Sequence, residues 1–434
     1  MVFNIRNSKY KEISSDIYNK NKTSNTIKLS KDFAFDNKDK TISRNVVVMG
    51  NCGCGKTRGF IEPNIEEGLD SFVVIDRDNE LKSNFKDNGQ YNNVFYLDPI
   101  NGEGKHNPFC YLKTKEDVEN FTKALHRLVV RSHFEVKDVK RDKLELDILT
   151  AYVKFIAYGY GYNPLICGGK VYPRSFRGLK DLVMTGDIKE YSSKSKKIVE
   201  KFPSVFKIFE NHNVENEEEK RETQAAITNV SLNLGNFLTE DLLNMTDDCS
   251  FDMNEFLNTN KENRVGLFIN TSASKKNQFA TLVIWHIADK LRCLKNENGE
   301  KSVAKTTVNF YLDNFGSIPK LPNATKLFSS SKNSNYNFIL CFNHFTELEI
   351  RYGDKLQSVL ETCQFLMAYP FNPDTKTCDF IKEQVLKYGN NDDVDSLLKY
   401  FTSDGVKGKV LIVSRKGPSF VDAALHSKDY VYEC

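Results

Sequence analysis

Residues 45–58, Asn45-Val-Val-Val-Met-Gly-Asn-Cys-Gly-Cys-Gly-Lys-Thr-Arg58, decide the fold of this chain. The run from Val46 to Met49 is continuously apolar, which predicts a strand buried on both faces of a parallel sheet. A glycine-rich loop follows, and Lys56-Thr57 opens a helix. The loop matches G-x-x-x-x-G-K-[ST] without a mismatch, and the order of strand, loop and helix is the context that a phosphate-binding P-loop requires.

Each residue type in this loop has a physical role in holding phosphate. Glycines allow positive φ, so that the backbone N–H groups can turn inward and form an anion-binding nest at a helix N-terminus. Lys56 would place a positive charge on the β- and γ-phosphates, and the hydroxyl of Thr57 would bind Mg²⁺. The predicted nucleotide-binding residues are Gly50, Asn51, Cys52, Gly53, Cys54, Gly55, Lys56, Thr57 and Arg58.

Composition narrows the class of protein. The chain has 434 residues, of which 40% are hydrophobic, so it can form two domains or one large domain with an insertion. A net charge of +3 is too small to argue for nucleic-acid binding by itself. The ten cysteines are scattered without a CxxC pair, which favours a reducing cytosol. No apolar run approaches the length of a membrane span, and the N-terminus lacks the apolar core of a signal peptide.

Further strands alternate with helices along the chain, which predicts a mainly parallel α/β sheet. The helix that begins at Lys56 is expected to end near Glu67, with Gly68 at its C-terminus. Residues 1–44 are interpreted as an N-terminal arm with edge strands, or equally as a solvated arm. The predicted strands after the P-loop are Ser71–Asp76, Asn93–Asp98, Arg264–Asn270, Val308–Asp313, Asn337–Asn343, Phe365–Tyr369 and Lys409–Ser414.

Residues 114–247 carry helical periodicity and few strand signals. Helices are predicted at 116–130, 144–158, 198–209 and 223–238, with a turn at 159–169. We therefore expect an all-α insertion at 114–247 within a nucleotide-binding domain made of 45–113 and 248–434. The insertion is rich in lysine and arginine over 167–209. That stretch could contact DNA phosphates, although a solvated helical face explains it at least as well.

A P-loop needs a carboxylate at the end of a neighbouring strand to hold Mg²⁺. Asp313 ends a predicted buried strand and is the preferred candidate, so Thr57 and Asp313 form the predicted metal site. Asp76 and Asp98 are rivals because they also follow predicted strands.

Several segments, in the same order along the chain, resemble the type IV secretion coupling proteins, the TraG/TraD-like conjugation ATPases. Phe310–Pro322 resembles their L-D-E-F-x-x-I-x-K-I-P segment, and His106-Asn-Pro-Phe-Cys-Tyr111 resembles Y-N-P-F-x-Y. Phe72–Leu81 is similar to V-V-x-D-P-K-G-E-L, and Asn337–Gly353 is similar to I-I-L-Q-S-x-x-Q-L followed by Y-G. The resemblance covers residues 26–430.

This resemblance implies a RecA-like P-loop fold that binds ATP and Mg²⁺ and carries an all-α domain. It also implies a DNA-transfer motor that assembles as a ring, commonly a hexamer, although an isolated chain can be monomeric. Its expected partners are a DNA–relaxase complex and the components of a secretion channel, at the cytoplasmic face of the membrane. The family's usual N-terminal membrane helices are not found in this sequence. We therefore expect a naturally soluble variant, a shortened chain, or anchoring through another subunit.

The chain departs from the family at positions that matter for hydrolysis. Asn314 replaces the glutamate that follows Asp313, and an amide cannot accept a proton from the attacking water. Loss of such a base lowers the rate by about 10²–10⁴. Asn343 replaces a glutamine, and the arginine-bearing stretch reads Ser330–Asn335 without an arginine. The predicted catalytic residues are Lys56, Asp313, Asn314 and Asn343, with Asp76 as a possible replacement base.

Three functions fit these residues. The first is an ATP-driven coupling protein of a conjugative type IV secretion system. The second is an ATP-binding assembly subunit with weak or lost hydrolysis. The third is a DNA translocase of the FtsK/HerA type, which shares the core but lacks the Asn107-Pro-Phe109 segment.

Overall fold

The computed structural model describes residues 26–31, 33–36, 44–87, 89–131, 139–159, 166–167, 170–185, 217–271, 277–371, 375–388, 394–402, 408–415 and 420–425. Strands lie throughout these ranges. They are β1 Thr26–Lys28, β2 Ala34–Asp36, β3 Asn45–Met49, β4 Ser71–Asp76, β5 Asn93–Leu97, β6 Ile166–Cys167, β7 Lys170–Val171, β8 Val265–Asn270, β9 Val308–Leu312, β10 Tyr336–Phe342, β11 Cys363–Ala368, β12 Lys409–Ser414 and β13 Phe420–Ala423.

Nine of the described strands form one sheet in the order β13-β12-β11-β3-β10-β9-β4-β8-β5. The P-loop strand β3 is central and pairs in parallel with β10 and β11. The parallel pairs continue from β10 to β9, from β9 to β4 and from β4 to β8. The predicted α/β class with a mainly parallel sheet is confirmed. Two antiparallel pairs, β11 with β12 and β12 with β13, close the other side of the sheet.

The helices, numbered here in chain order, include one that extends the P-loop. That helix begins with a π-helical turn at Thr57–Ile61, continues as α1, and ends at Gly68, whose φ of 61° is the left-handed cap expected of a glycine. The α-helices are α1 Glu62–Glu67, α2 Glu80–Asn84, α3 Lys115–Leu125, α4 Val139–Gly159, α5 Phe176–Thr185, α6 Glu217–Phe237, α7 Glu240–Thr246, α8 Asn254–Leu257, α9 Asn277–Arg292, α10 Ala324–Ser330, α11 Phe345–Tyr352, α12 Leu356–Leu360, α13 Thr375–Tyr388 and α14 Val394–Phe401.

The chain divides into two compact units. The sheet unit comprises Met1–Tyr96, Met253–Ser272 and Ile287–Cys434, and the helical unit comprises Leu97–Asp252 and Ala273–His286. The helical unit therefore takes in segments on either side of the proposed 114–247 insertion. The domain bounds of 114–247, and of 45–113 with 248–434, stay a prediction.

In the helical unit, the Asn107-Pro-Phe109 segment forms a turn. The side chain of Asn107 accepts a hydrogen bond from the backbone of Phe109 at 3.0 Å and donates one to the carbonyl of Arg174 at 2.9 Å. The ring of Phe109 packs edge-on against Phe121 and Phe176. These contacts give the segment a packing role, because they hold the turn against helices α3 and α5.

One strand prediction needs correction, and one strand of the central sheet was not foreseen. The strand at Thr26–Lys28 pairs with β2 in a separate two-stranded sheet, so it does not lead into the central sheet as an edge. The strand β13 was not predicted, because its four residues carry too little alternation to stand out. The predicted helix at 198–209 and most of the turn at 159–169 lie outside the described residues.

Asn45 connects the P-loop strand to its surroundings. Its fully buried amide donates to the carbonyl of Phe328 at 2.9 Å and accepts from the backbone N–H of Phe338 at 2.9 Å. We expect Asn45→Ala to lower the free energy of unfolding by about 3 kcal/mol, since each buried group left without a partner costs about 1–3 kcal/mol. Urea titration measures this, and Asn298→Ala, at an exposed position, serves as the control. Equal midpoints for the two variants would contradict the assigned role.

Candidate nucleotide-binding site

The predicted site residues meet at the carboxyl edge of the parallel strands. Strand β3 leads into the P-loop, β10 ends before Asn343, β9 ends before Asp313, and β4 ends at Asp76. Because these four strands are parallel neighbours, their carboxyl ends lie along one edge of the sheet. Ligands of open α/β sheets bind at such an edge.

Lys56 is the centre of the site. It is 7% exposed, and its ammonium group donates to the carbonyl of Gly50 at 2.6 Å and to that of Asn51 at 2.7 Å. It also donates to Oδ1 of Asn343, 3.0 Å away. A lysine has three N–H donors, so these contacts employ all of them. The ammonium group is thus held over the loop that the sequence predicts to bind phosphate.

Thr57 and Asp313 form the second contact. The threonine hydroxyl donates to Oδ2 of Asp313 at 2.7 Å, across 256 residues of sequence. Burial raises the pKa of the Asp313 carboxyl, while the hydrogen bond from Thr57 and the charge of Lys56 act in the opposite direction. A hydroxyl beside a carboxylate is an all-oxygen donor set, which suits Mg²⁺. The two predicted metal ligands are therefore adjacent and chemically suited to that ion.

The glycines of the loop occupy positions that disfavour a residue with a side chain. Gly53 has a φ of 76° and Gly55 a φ of 98°, which are backbone conformations that favour glycine. A Cβ at Gly50 would lie 2.6 Å from the sulfur of Cys54 and 2.8 Å from Cβ of Tyr369. The loop thus packs too tightly at Gly50 for a side chain.

Cys52 and Arg58 lie at the periphery of the loop, whereas Cys54 lies within it, with its sulfur 3.9 Å from the Lys56 ammonium group. Cys52 is exposed, and burial raises the pKa of the Cys54 thiol. Arg58 forms an ion pair with Glu80 at 3.3 Å. This pair connects the P-loop helix to helix α2, next to strand β4.

The two amides predicted near the γ-phosphate also lie side by side. Nδ2 of Asn343 is 3.5 Å from Oδ1 of Asn314, a long hydrogen bond. Asn314 has a φ of 50°, a left-handed conformation that asparagine tolerates better than most residues. Its backbone N–H donates to Oδ1 of Asp313 at 2.9 Å.

Glu347 was not predicted as a site residue, yet it lies against this amide pair. It belongs to helix α11, and its Oε2 accepts a hydrogen bond from the backbone N–H of Asn343 at 3.2 Å. The sequence contained a signal, because Glu347 falls on the second glutamine of the I-I-L-Q-S-x-x-Q-L pattern.

The rival carboxylates have other roles. Asp76 is 1% exposed and accepts hydrogen bonds from the backbone N–H groups of Leu81 and Lys82, each at 2.8 Å. Burial raises the pKa of Asp76 to about 6, and the charge of Asp313 adds to the rise. Asp98 accepts from the N–H groups of Ile100 and Asn101, and so stabilises the turn that follows β5.

Among the described residues, no helix is both long enough and apolar enough to cross a membrane.

Comparison with known proteins identifies relatives at the level of family and fold. The family profile described as "Type IV secretory system Conjugative DNA transfer" matches residues 5–403. A search among curated proteins finds no significant match.

Solved structures of conjugation proteins share the fold. The unbound bacterial conjugative coupling protein TrwBΔN70 superposes with a TM-score of 0.69 at 12% identity, covering 98% of this chain and 92% of its own. TrwB in complex with a non-hydrolysable ATP analogue superposes with a TM-score of 0.68 at 13% identity, and the match covers 98% of this chain and 93% of the TrwB chain. VirB4 of Thermoanaerobacter pseudethanolicus superposes with a TM-score of 0.57 at 11% identity, and the match covers 94% of this chain and 98% of the VirB4 chain.

Proposed function

Because the chain belongs to the type IV secretory system conjugative DNA transfer family, we propose that it is an ATP-hydrolysing coupling protein, a DNA-transfer motor. It would recruit a DNA–relaxase complex and pass it to the secretion channel. One observation carries the proposal. At the end of the P-loop strand, Lys56 lies over the loop and the Thr57 hydroxyl donates to the Asp313 carboxylate.

The residues present fit ATP and Mg²⁺. The ammonium group of Lys56 can exchange the loop carbonyls for the β- and γ-phosphate oxygens, and backbone N–H groups of the loop would supply further donors. Thr57 and Asp313 would hold Mg²⁺, which neutralises the charge that develops on the phosphates. TrwB, whose fold is similar, has been solved with ADP and Mg²⁺, which supports this choice of ligand.

The proposed assembly is a homo-oligomeric ring, as is common in the family, and an isolated chain can be monomeric. We place the ring at the cytoplasmic face of the membrane, where it would associate with the membrane through partner proteins. We propose that this ring contacts the relaxase and the secretion channel of the conjugation system.

The proposal is tested by measuring ATP turnover with and without DNA, together with the mass in solution in the presence of ATP and Mg²⁺. We expect DNA to raise the turnover rate and nucleotide to favour a multiple of the chain mass. Turnover that is insensitive to DNA in a chain that stays monomeric would contradict a ring-shaped DNA motor.

A second function is favoured by Asn314. An amide at this position cannot accept a proton, so the chain could bind ATP and support assembly with little hydrolysis. Tight ATP binding without turnover, in the presence of DNA, would favour this assembly subunit over the motor.

A further inference from the structure

The chain carries a carboxylate close to the position where the hydrolytic carboxylate is missing. Lys56 contacts Oδ1 of Asn343, and the backbone N–H of the same asparagine donates to Oε2 of Glu347. The lysine is expected to bind the terminal phosphates, so Asn343 lies at that end of the site. The Glu347 carboxylate is thus separated from the phosphate-binding lysine by a single residue.

Gly316 makes room for this carboxylate. A Cβ built on Gly316 would overlap the Glu347 carboxylate and would lie 2.9 Å from Glu347 Cβ. Gly316 lies two residues after Asn314, in the turn that follows strand β9. The carboxylate therefore packs against the same turn that holds Asn314 near Asn343.

Among the described residues, one oxygen of Glu347 forms a hydrogen bond. Oε2 accepts the Asn343 N–H at 3.2 Å, and none of the described residues forms a hydrogen bond with Oε1. The side chain is partly exposed, so water can reach it. One oxygen can thus orient the carboxylate while the other is available to a water molecule.

We propose that Glu347 is the general base for ATP hydrolysis in this chain, taking the role that Asn314 cannot perform. The inference rests on the proposed function, because it requires ATP at the P-loop. The sequence agrees with such an exchange. Where the pattern L-D-E-F has its glutamate, this chain has Asn314. Where the pattern Q-S-x-x-Q-L has its second glutamine, this chain has Glu347.

The step is a simple hydrolysis. The oxygen of a water molecule forms a bond to the γ-phosphorus, and the bond from that phosphorus to the β,γ-bridging oxygen breaks, so ADP leaves with the electron pair. The carboxylate of Glu347 accepts the proton of the attacking water, directly or through one further water. The amides of Asn314 and Asn343 can orient the water but do not take its proton.

Other carboxylates near the site are less suited to this step. Both oxygens of Asp76 accept backbone hydrogen bonds, from Leu81 and Lys82. Asp313 accepts from Thr57 through one oxygen and from the backbone of Asn314 through the other. In the part of the chain that the structure describes, Oε1 of Glu347 accepts no such bond.

The test compares Glu347→Gln with the parent in two measurements, the affinity for an ATP analogue with Mg²⁺ and the rate of ATP turnover with DNA. Glutamine keeps the size and the acceptor for Asn343 but cannot take a proton. We expect unchanged affinity and a turnover rate lower by about 10²-fold or more. Glu347→Asp keeps the carboxylate and should retain more turnover than Glu347→Gln.

Glu349→Gln is the matched control, since Glu349 lies on the same helix and pairs with Lys376 at 2.5 Å. It should leave turnover unchanged. The inference is overturned if Glu347→Gln turns over within threefold of the parent, or if its affinity falls along with its rate. A parent that binds ATP but does not hydrolyse it also overturns the inference, whereas a parent that does not bind ATP refutes the proposed function itself.

Discussion

Lys56→Ala is expected to abolish nucleotide binding. The ammonium group is buried above the loop and donates to the carbonyls of Gly50 and Asn51, where phosphate oxygens would replace those acceptors. Hydrogen bonds from a charged donor contribute about 1.5–3 kcal/mol each, so losing two of them weakens affinity by at least roughly 100-fold. Titration with a fluorescent ATP analogue measures the change.

The control for this substitution is Lys326→Ala, which removes an exposed lysine from helix α10 and should bind the analogue like the parent. Both variants should unfold at similar urea concentrations, so that a loss of binding is not a loss of structure. If Lys56→Ala bound the analogue as tightly as the parent, the P-loop would not be the nucleotide site.

The second large effect is expected from Asp313→Asn. The asparagine can accept from the backbone N–H of Asn314 and donate to the Thr57 hydroxyl, so the loop should keep its structure, but the negative charge that attracts Mg²⁺ is gone. We expect Mg²⁺ to lose its ability to strengthen ATP-analogue binding. Turnover should fall by about 10²-fold or more, because metal stabilisation of the transition state contributes several kcal/mol.

Asp98→Asn tests whether any strand-end aspartate would have the same effect. The Asp98 carboxylate holds its own turn through the N–H groups of Ile100 and Asn101, so its replacement should leave the Mg²⁺ dependence of binding unchanged. An equal loss of Mg²⁺ dependence in both variants would refute the assignment of Asp313 as metal ligand.

Much of the fold could be predicted because its signals are local. Val46–Met49, Phe72–Ile75 and Leu267–Ile269 are apolar runs, and each forms a strand buried in the parallel sheet. Helix α6 begins at Glu217, several residues before the predicted start at 223, because charged residues at a helix start carry no apolar periodicity. Boundaries were therefore less predictable than the elements themselves.

The choice among the strand-end aspartates needed more than local signals. Asp76, Asp98 and Asp313 look alike in sequence, since each follows an apolar run. The sheet order separates them, because one strand lies between β9 and the P-loop strand, two strands lie between β4 and the P-loop strand, and β5 lies at the far edge. Of these three aspartates, it is Asp313 that accepts a hydrogen bond from the P-loop hydroxyl of Thr57.

By itself, the sequence determined the P-loop, because Gly53, Gly55, Lys56 and Thr57 satisfy requirements of backbone conformation and charge within a few consecutive residues. Only the tertiary structure decided what faces that loop. Asn343 reaches Lys56 across 287 residues, and Glu347 packs against the turn at Gly316. Contacts between residues so far apart in sequence depend on the order of the parallel strands in the sheet, and no local periodicity encodes that order.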